Sequence, residues 1–324
     1  MSDYKALSVQ ECARALLSIE NPVILSHARA DGDAVGTAAA LTLALLSVGK
    51  PARLLLPDGI PNRLSFIAEG VPQAEADTCG DFVTVDVASR VQLGALSELK
   101  IVLSVDHHAK STPFADNLTL PDSSSAAEVL YGVLLEMEKI SNFRINDRIA
   151  SALYAGISSD TGGFIYSNAN AEAHRTAAAL IEYGIDYADI NHRLFNSKTK
   201  GQLRAEGFIA TNIKTELNGT IAYAVHTKED RLSLGLSMSD FDAAIDVVRS
   251  IVGAEVAVLV REGDDGVIRA SLRSTGFNVA DIAAAFGGGG HVRAAACSIN
   301  APSAKMAAQA VVEKIKLSLV GEGE

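Results

Sequence analysis

Ser26-His27-Ala28-Arg29-Ala30-Asp31-Gly32-Asp33-Ala34-Val35-Gly36-Thr37 is the stretch that decides how this chain reads. An apolar run, Val23-Ile24-Leu25, precedes it and reads as a short buried strand. The Ala/Leu-rich segment Ala38 to Val48 follows and reads as a helix. His27, Asp31 and Asp33 therefore stand at the carboxyl end of a strand, where open α/β sheets bind ligands. Carboxylates crowded this closely need a positive charge among them, and a divalent metal supplies one. Gly32 lets the backbone turn between the two carboxylates, and Gly36 allows close approach of the helix that follows.

Working outward, matching places appear downstream. Phe82-Val83-Thr84-Val85 ends in Asp86, and Ile101-Val102-Leu103-Ser104-Val105 ends in Asp106-His107-His108. Leu153-Tyr154-Ala155-Gly156-Ile157 leads through two serines to Asp160-Thr161-Gly162-Gly163. Read as strands of one parallel sheet, all of these runs end on one edge. The residues at those ends then form a single site.

Strand-like and helical runs alternate from about residue 8 to 190. Strands are expected near 23–26, 52–56, 82–86, 101–106 and 153–157, and helices near 8–18, 34–48, 63–69, 125–139, 146–151 and 170–182. This is the pattern of an α/β domain, a parallel sheet with helices on both faces. Residues 113–125, rich in Pro, Asp and Ser, read as a loop. The domain is expected over 1–196, with a helical linker over 197–218. A smaller α+β domain follows over 219–324, its strands near 220–226, 255–261, 267–273 and 294–299 and its helices near 239–251, 278–286 and 303–319. Asp264-Asp265-Gly266 marks a hairpin turn between two of the strands.

A chain of 324 residues accommodates two such cores, and 48% hydrophobic with 21% charged residues is ordinary globular composition. No apolar stretch reads as a membrane span, and the acidic, polar N-terminus does not read as a secretory signal. Three widely spaced cysteines, Cys12, Cys79 and Cys297, read as small buried hydrophobes in a reducing cytoplasm. The net charge of −11 and the absence of Trp argue against a groove for long duplex nucleic acid. They favour a small anionic substrate held by metals and a few arginines.

The four motifs, in this order, resemble the DHH phosphoesterase superfamily. Phe286-Gly287-Gly288-Gly289-Gly290-His291 resembles the signature of the DHH-associated domain of one branch. The nearest resemblance is to NrnA-like members, which act as nanoRNases and 3′-phosphoadenosine 5′-phosphate (pAp) phosphatases. It extends over about residues 15 to 300. It implies a Rossmann-like catalytic domain with two Mn²⁺ ions, Mg²⁺ or Co²⁺ being alternatives. His27 and Asp31 would bind the first, Asp33, His107 and Asp160 the second, and Asp86 would bridge both. Two such ions can share a water, lower its pKa and clamp attacking and leaving oxygens. Alternation at a strand end implies that His107 and its neighbours do not all face one metal. The resemblance places His108 on the scissile phosphate as a catalytic group, and Asp106, grouped with it, would orient or support a ligand.

The resemblance also places the substrate end in the second domain. Arg273 is the first expected phosphate clamp, with Ser274 beside it. Gly287, Gly288, Gly289 and Gly290 offer backbone N–H groups to a phosphate before His291. Arg29 and Arg90 are weaker clamp candidates. Ser123-Ser124-Ser125 and Glu128 would support the site from behind. His174, His192 and His226 read as structural or surface residues. The chain departs from the family at Ala30, where Pro is frequent, at Ala109-Lys110-Ser111, where Asn is frequent, and at Ala296, where Gly is usual. No metal ligand is lost.

The resulting expectation is a Mn²⁺-dependent hydrolase of short oligonucleotides and pAp in the cytoplasm, with no membrane partner and with a homodimer as one arrangement open to it. A linear or cyclic dinucleotide phosphodiesterase is the alternative, or a pyrophosphatase or exopolyphosphatase. A non-enzymatic nucleotide sensor is disfavoured, because such a protein would be expected to lose ligands.

Overall fold

In the computed structural model, which describes residues 4–75 and 77–321, the chain divides into two units, Met1–Ser197 and Lys198–Glu324. The first unit runs α1 (Val9–Ser18), β1 (Pro22–Leu25), α2 (Gly32–Ser47), β2 (Arg53–Leu55), β3 (Asp81–Val85), β4 (Ile101–Asp106), β5 (Asp116–Thr119), α3 (Ala126–Ile140), α4 (Asp147–Asp160), α5 (Ala171–Ile181) and α6 (Tyr187–Asn191). Its five strands form a parallel sheet in the order β2-β1-β3-β4-β5. The order reverses between β1 and β3, and the crevice beyond the carboxyl ends at such a reversal is where doubly wound sheets bind ligands.

Side-chain alternation divides the strands between two apolar layers. Ile24, Leu54, Val83, Val85, Leu103 and Val105 pack with the helices α1 to α5. Val23, Leu25, Leu55, Phe82 and Ile101 face the other way. Leu93 and Leu96 of a 3₁₀ segment, Arg90–Leu96, cover them together with Phe114.

Three expectations about the first unit change. Residues 153–157 are not a strand: with 146–151 they belong to the single helix α4. A short apolar run does not distinguish a buried strand from a buried helix. Here the Asn146 side chain caps the start by accepting from the Ile149 N–H, and Ala150, Ala152 and Ala155 favour helix. Asp160 therefore ends a helix, while the other motifs follow strands. The loop expected over 113–125 contains the edge strand β5, and the helix expected over 63–69 contains only a 3₁₀ turn, Asn62–Leu64, followed by turns.

The second unit runs α7 (Lys200–Asn212), β6 (Lys214–Glu216), β7 (Ile221–His226), α8 (Lys228–Ser233), α9 (Ile245–Arg249), β8 (Val256–Glu262), β9 (Ile268–Ser274), α10 (Val279–Ala285), β10 (Gly289–His291), β11 (Ala294–Ile299) and α11 (Ala304–Gly321). Its six strands form a mixed sheet in the order β10-β11-β9-β8-β7-β6, in which only β7 and β8 pair in parallel. The glycine run is thus partly a strand, and the stretch 239–251 is broken into a 3₁₀ turn, Met238–Phe241, and the short α9. Cys12 and Cys297 are buried as expected, whereas Cys79 is exposed. Among the described residues no helix is long and apolar enough to cross a membrane.

Candidate metal centre

The carboxyl ends of β1, β3 and β4 deliver His27, Asp86 and the Asp106-His107-His108 run to one place. The Ser26 hydroxyl donates to the Val85 carbonyl at 2.8 Å and locks the ends of β1 and β3 together. Asp86 follows with φ +57°, a left-handed conformation that Asp tolerates better than most residues. Its buried carboxylate lies between two imidazoles. Oδ2 is 3.4 Å from His27 Nε2, and Oδ1 is 3.6 Å from His107 Nε2.

The two imidazoles are held the same way. His27 Nδ1 donates to the Ala28 carbonyl at 2.9 Å, and His107 Nδ1 faces the Ser123 carbonyl at 3.3 Å. A backbone acceptor at Nδ1 fixes the tautomer that turns Nε2 inward as an electron-pair donor, the usual arrangement behind a metal-binding histidine. His27 Nε2 also lies 3.9 Å from Asp31 Oδ1, and His107 Nε2 lies 3.8 Å from Asp160 Oδ2.

Asp31 is also the N-cap of α2, where one oxygen accepts from the N–H groups of Asp33 and Ala34 at 3.1 and 3.0 Å. Asp33 is buried at the first turn of the same helix. Its carboxylate accepts from the Ala126 and Ala127 N–H groups at 2.7 and 3.0 Å and from the Thr37 hydroxyl at 3.0 Å. The start of α3, where N–H groups lack helical partners, thus supports a ligand candidate from another helix. The Ser125 side chain caps α3, and Glu128 accepts from the Ser124 N–H at 2.8 Å and hydroxyl at 2.5 Å. Thr37 and the two N–H groups were not singled out from the sequence. Only the Asp33-to-Thr37 spacing of one helical turn could have signalled the first.

Three sets of side chains bring ligand-type atoms within 4.8 Å of one another: His27, Asp31 and Asp86; Asp33, His107 and Asp160; and Asp86, His107 and His108. The last set shows where strand alternation stops. β4 ends at Asp106, so strand alternation does not govern the next residues, and the His107 and His108 rings lie 4.7 Å apart beside the same Asp86. His108 Nδ1 donates to Asp106 Oδ1 at 2.7 Å. The other Asp106 oxygen is buried with no hydrogen-bond partner among the described residues.

The electrostatics are those of a site short of positive charge. Burial and the neighbouring Asp86 carboxylate push Asp33 up to about 7. Burial, Asp33 and Asp86 raise Asp160 well above its ordinary value. Burial pulls His27 down, but Asp86 and Asp31 outweigh it and push the imidazole up to about 9. A divalent cation among these groups would favour their deprotonated forms. The donor set of carboxylate oxygens and imidazole nitrogens fits such a cation.

The residues expected at the substrate end lie in the second unit and come together there. Across the sheet, Ala294 pairs with Arg273 on one side and with His291 on the other. Arg273 is half-buried and donates from Nη1 to the Leu272 carbonyl at 3.0 Å, and the Ser274 hydroxyl donates to the Phe277 carbonyl. The glycine run has a packing reason as well. A Cβ on Gly288 would lie 2.2 Å from the Ala296 oxygen, and one on Gly290 would lie 2.5 Å from the Ala294 oxygen. The side chain of His291 lies outside the described residues. Of the weaker clamp candidates, Arg90 donates to the Ser97 and Leu99 carbonyls at 2.8 and 3.1 Å and is structural. Arg29 is exposed, its N–H donating to Asp58 at 2.9 Å. His226 is buried in the second unit, and His174 and His192 are exposed.

Residues 21–157 match the DHH family N-terminal domain, and residues 216–316 match the DHHA1 domain. The chain is 28% identical to the bifunctional oligoribonuclease and PAP phosphatase NrnA of Thermus thermophilus, over 96% of this chain and 94% of that one. It is 30% identical to the protein of the same name from Bacillus subtilis, over 89% and 92%. The fold matches the crystal structure of an exopolyphosphatase-related protein from Bacteroides fragilis with a TM-score of 0.87 at 24% identity, covering 96% of this chain and 97% of that one. With three strand ends and one helix end converging on a cation-deficient site, and with both domains matched in order, the chain belongs to the DHH family and carries its DHHA1 domain.

Proposed function

We propose that the chain is a Mn²⁺-dependent phosphoesterase that hydrolyses short oligonucleotides and pAp in the cytoplasm. The observation that carries the reading is Asp86, whose two oxygens face two separate sets of ligand-type groups. His27 and Asp31 would hold one cation and Asp33, His107 and Asp160 a second, with Asp86 shared between them. Imidazoles among carboxylates favour Mn²⁺ over Mg²⁺. When bound, the cations would supply Lewis-acid charge at the phosphoryl group and a water acidified at neutral pH.

The chain's own groups do the rest. Asp106 holds the His108 proton on Nδ1, which turns Nε2 into the nitrogen that exchanges a proton with a phosphoester oxygen. In the second unit Arg273 would clamp a phosphate, with Ser274, the N–H groups of Gly287 to Gly290 and His291 forming the rest of the substrate end. The relatives named for oligoribonuclease and PAP phosphatase activity support nucleotides as the substrate class. The chain's −11 charge supports short substrates over long duplexes.

The test is turnover of a 5′-phosphorylated dinucleotide and of pAp by purified protein, after chelation and after adding back Mn²⁺. Hydrolysis that is lost on chelation and restored by Mn²⁺ is expected. Undiminished hydrolysis after chelation would overturn the metal assignment. Hydrolysis of pyrophosphate alone would overturn the substrate class.

A further inference from the structure

Asp160 differs from the other candidate ligands in ending a helix. The chain leaves α4 through Gly162, Gly163 and Phe164, all with positive φ (59°, 67° and 65°). It then folds back, so that the Ile165 and Tyr166 N–H groups donate to the Thr161 carbonyl at 3.0 and 2.9 Å. This tight loop returns Asn168 to its own starting point. The Asn168 amide faces three acceptors: the Ser124 carbonyl at 3.0 Å, the Asp160 carbonyl at 3.1 Å and the Asp160 Oδ2 at 3.4 Å. Three acceptors around one amide fix its NH₂ end inward.

We propose that Asn168 is a positioning residue for Asp160, joining the end of α4 to the Ser123-Ser124 turn so that Oδ2 is held toward His107. Asp160 Oδ2, the oxygen Asn168 reaches, is the one 3.8 Å from His107 Nε2. Ser123, next to the Ser124 that accepts from Asn168, is the residue whose carbonyl faces His107 Nδ1. The same turn leads into the Ala126 and Ala127 N–H groups that hold Asp33. One amide thus ties Asp160 to the segment that orients His107 and Asp33, the other two members of its set. The bland alternative is a helix cap, since the Asp160 carbonyl lacks a partner within α4. A cap contributes to stability and leaves metal affinity alone.

This rests on the metal-centre reading above, and the experiment separates the two. Mn²⁺ binding is measured by calorimetry on the full chain for wild type, Asn168→Ala, Asn168→Leu and Asn170→Ala. Leu keeps the size of Asn168 without its donors. Asn170 caps α5 and donates to the Asp122 carbonyl in the same region without touching Asp160, so it controls for general loosening of the loop. Both Asn168 variants should bind Mn²⁺ about 10- to 100-fold more weakly, the usual effect of removing a group that orients a ligand. Asn170→Ala should bind like wild type. Wild-type affinity in the Asn168 variants overturns the proposal, as does an equal loss in Asn170→Ala. Failure of the wild type itself to bind Mn²⁺ overturns the metal-centre reading and this proposal with it.

Discussion

Gly36 on α2 and Gly156 on α4 meet backbone to backbone. A Cβ on Gly36 would lie 2.5 Å from the Ala152 oxygen and 2.9 Å from the Gly156 nitrogen, and one on Gly156 would lie 2.9 Å from Asp33 Oδ1. The two helices that carry Asp33 and Asp160 are thus set by the absence of two side chains. In an exposed helix Gly→Ala stabilises by about 1 kcal/mol. Here the sign should reverse. Gly36→Ala is expected to destabilise the protein by about 1–3 kcal/mol, the usual cost of overpacking a core. Urea unfolding checks this, and a midpoint at or above that of wild type would refute it.

His108 and Asp86 should separate chemistry from metal binding. Asp86→Ala should lower metal content and abolish turnover, because both sets of groups lose their shared carboxylate. His108→Ala should keep the metal and lose about 10²- to 10⁴-fold in kcat, as for a removed acid–base group. Elemental analysis beside steady-state kinetics reads both quantities. Loss of a metal equivalent in His108→Ala would make His108 a ligand, in line with its place beside Asp86 and His107.

Arg273→Ala should weaken oligonucleotide and pAp turnover while sparing a small generic ester such as bis-nitrophenyl phosphate. A lost charge-assisted clamp costs about 1.5–3 kcal/mol, roughly one to two decades in KM. Comparison of kcat/KM on both substrates decides it. An equal fall on the two would remove Arg273 from the substrate end.

His226 should make stability acid-sensitive. Its ring stacks on Phe241 with centroids 4.1 Å apart, and neither ring nitrogen has a hydrogen-bond partner among the described residues. Burial, then Arg261 of β8 and Arg231 of α8, depress it to about 4, with Asp230 of α8 opposing. Between about 4 and 6.5 the unfolded chain therefore binds a proton that the folded chain refuses. Stability is unaffected by this group above about 6.5 and falls as the pH drops toward 4. Thermal melting of wild type and His226→Phe across pH 4–7 should show a shallower acid loss in the variant. Parallel curves would refute the assignment.

Most of the candidate site was legible because its residues follow recognisable local signals. Val23 to Leu25, Phe82 to Val85 and Ile101 to Val105 alternate or cluster as strands do, and the polar residue at each end falls on one edge of any parallel sheet. Asp160 was expected at the end of a strand, and it ends a helix. The run before it is apolar enough for a strand, and only packing against α2, through Gly36 and Gly156, shows it to be a helix. β5, β6 and β10 are three or four residues long, too short to carry a periodic signal, and they exist because a neighbouring strand supplies their hydrogen bonds.

The sequence by itself determined the composition of the centre: which imidazoles and carboxylates are available, and that Asp and His recur at element ends. Ligand identity is a local property, written in residue type and spacing. Tertiary structure alone decided how those groups are aimed. Asp86 divides its two oxygens between His27 and His107, Ser123 and Ala28 turn the imidazoles, and the start of α3 grips Asp33 from 93 residues away. Those contacts join segments with no local pattern in common. Their partners are mostly backbone groups, which every residue carries, so no side-chain signal in the sequence announces them.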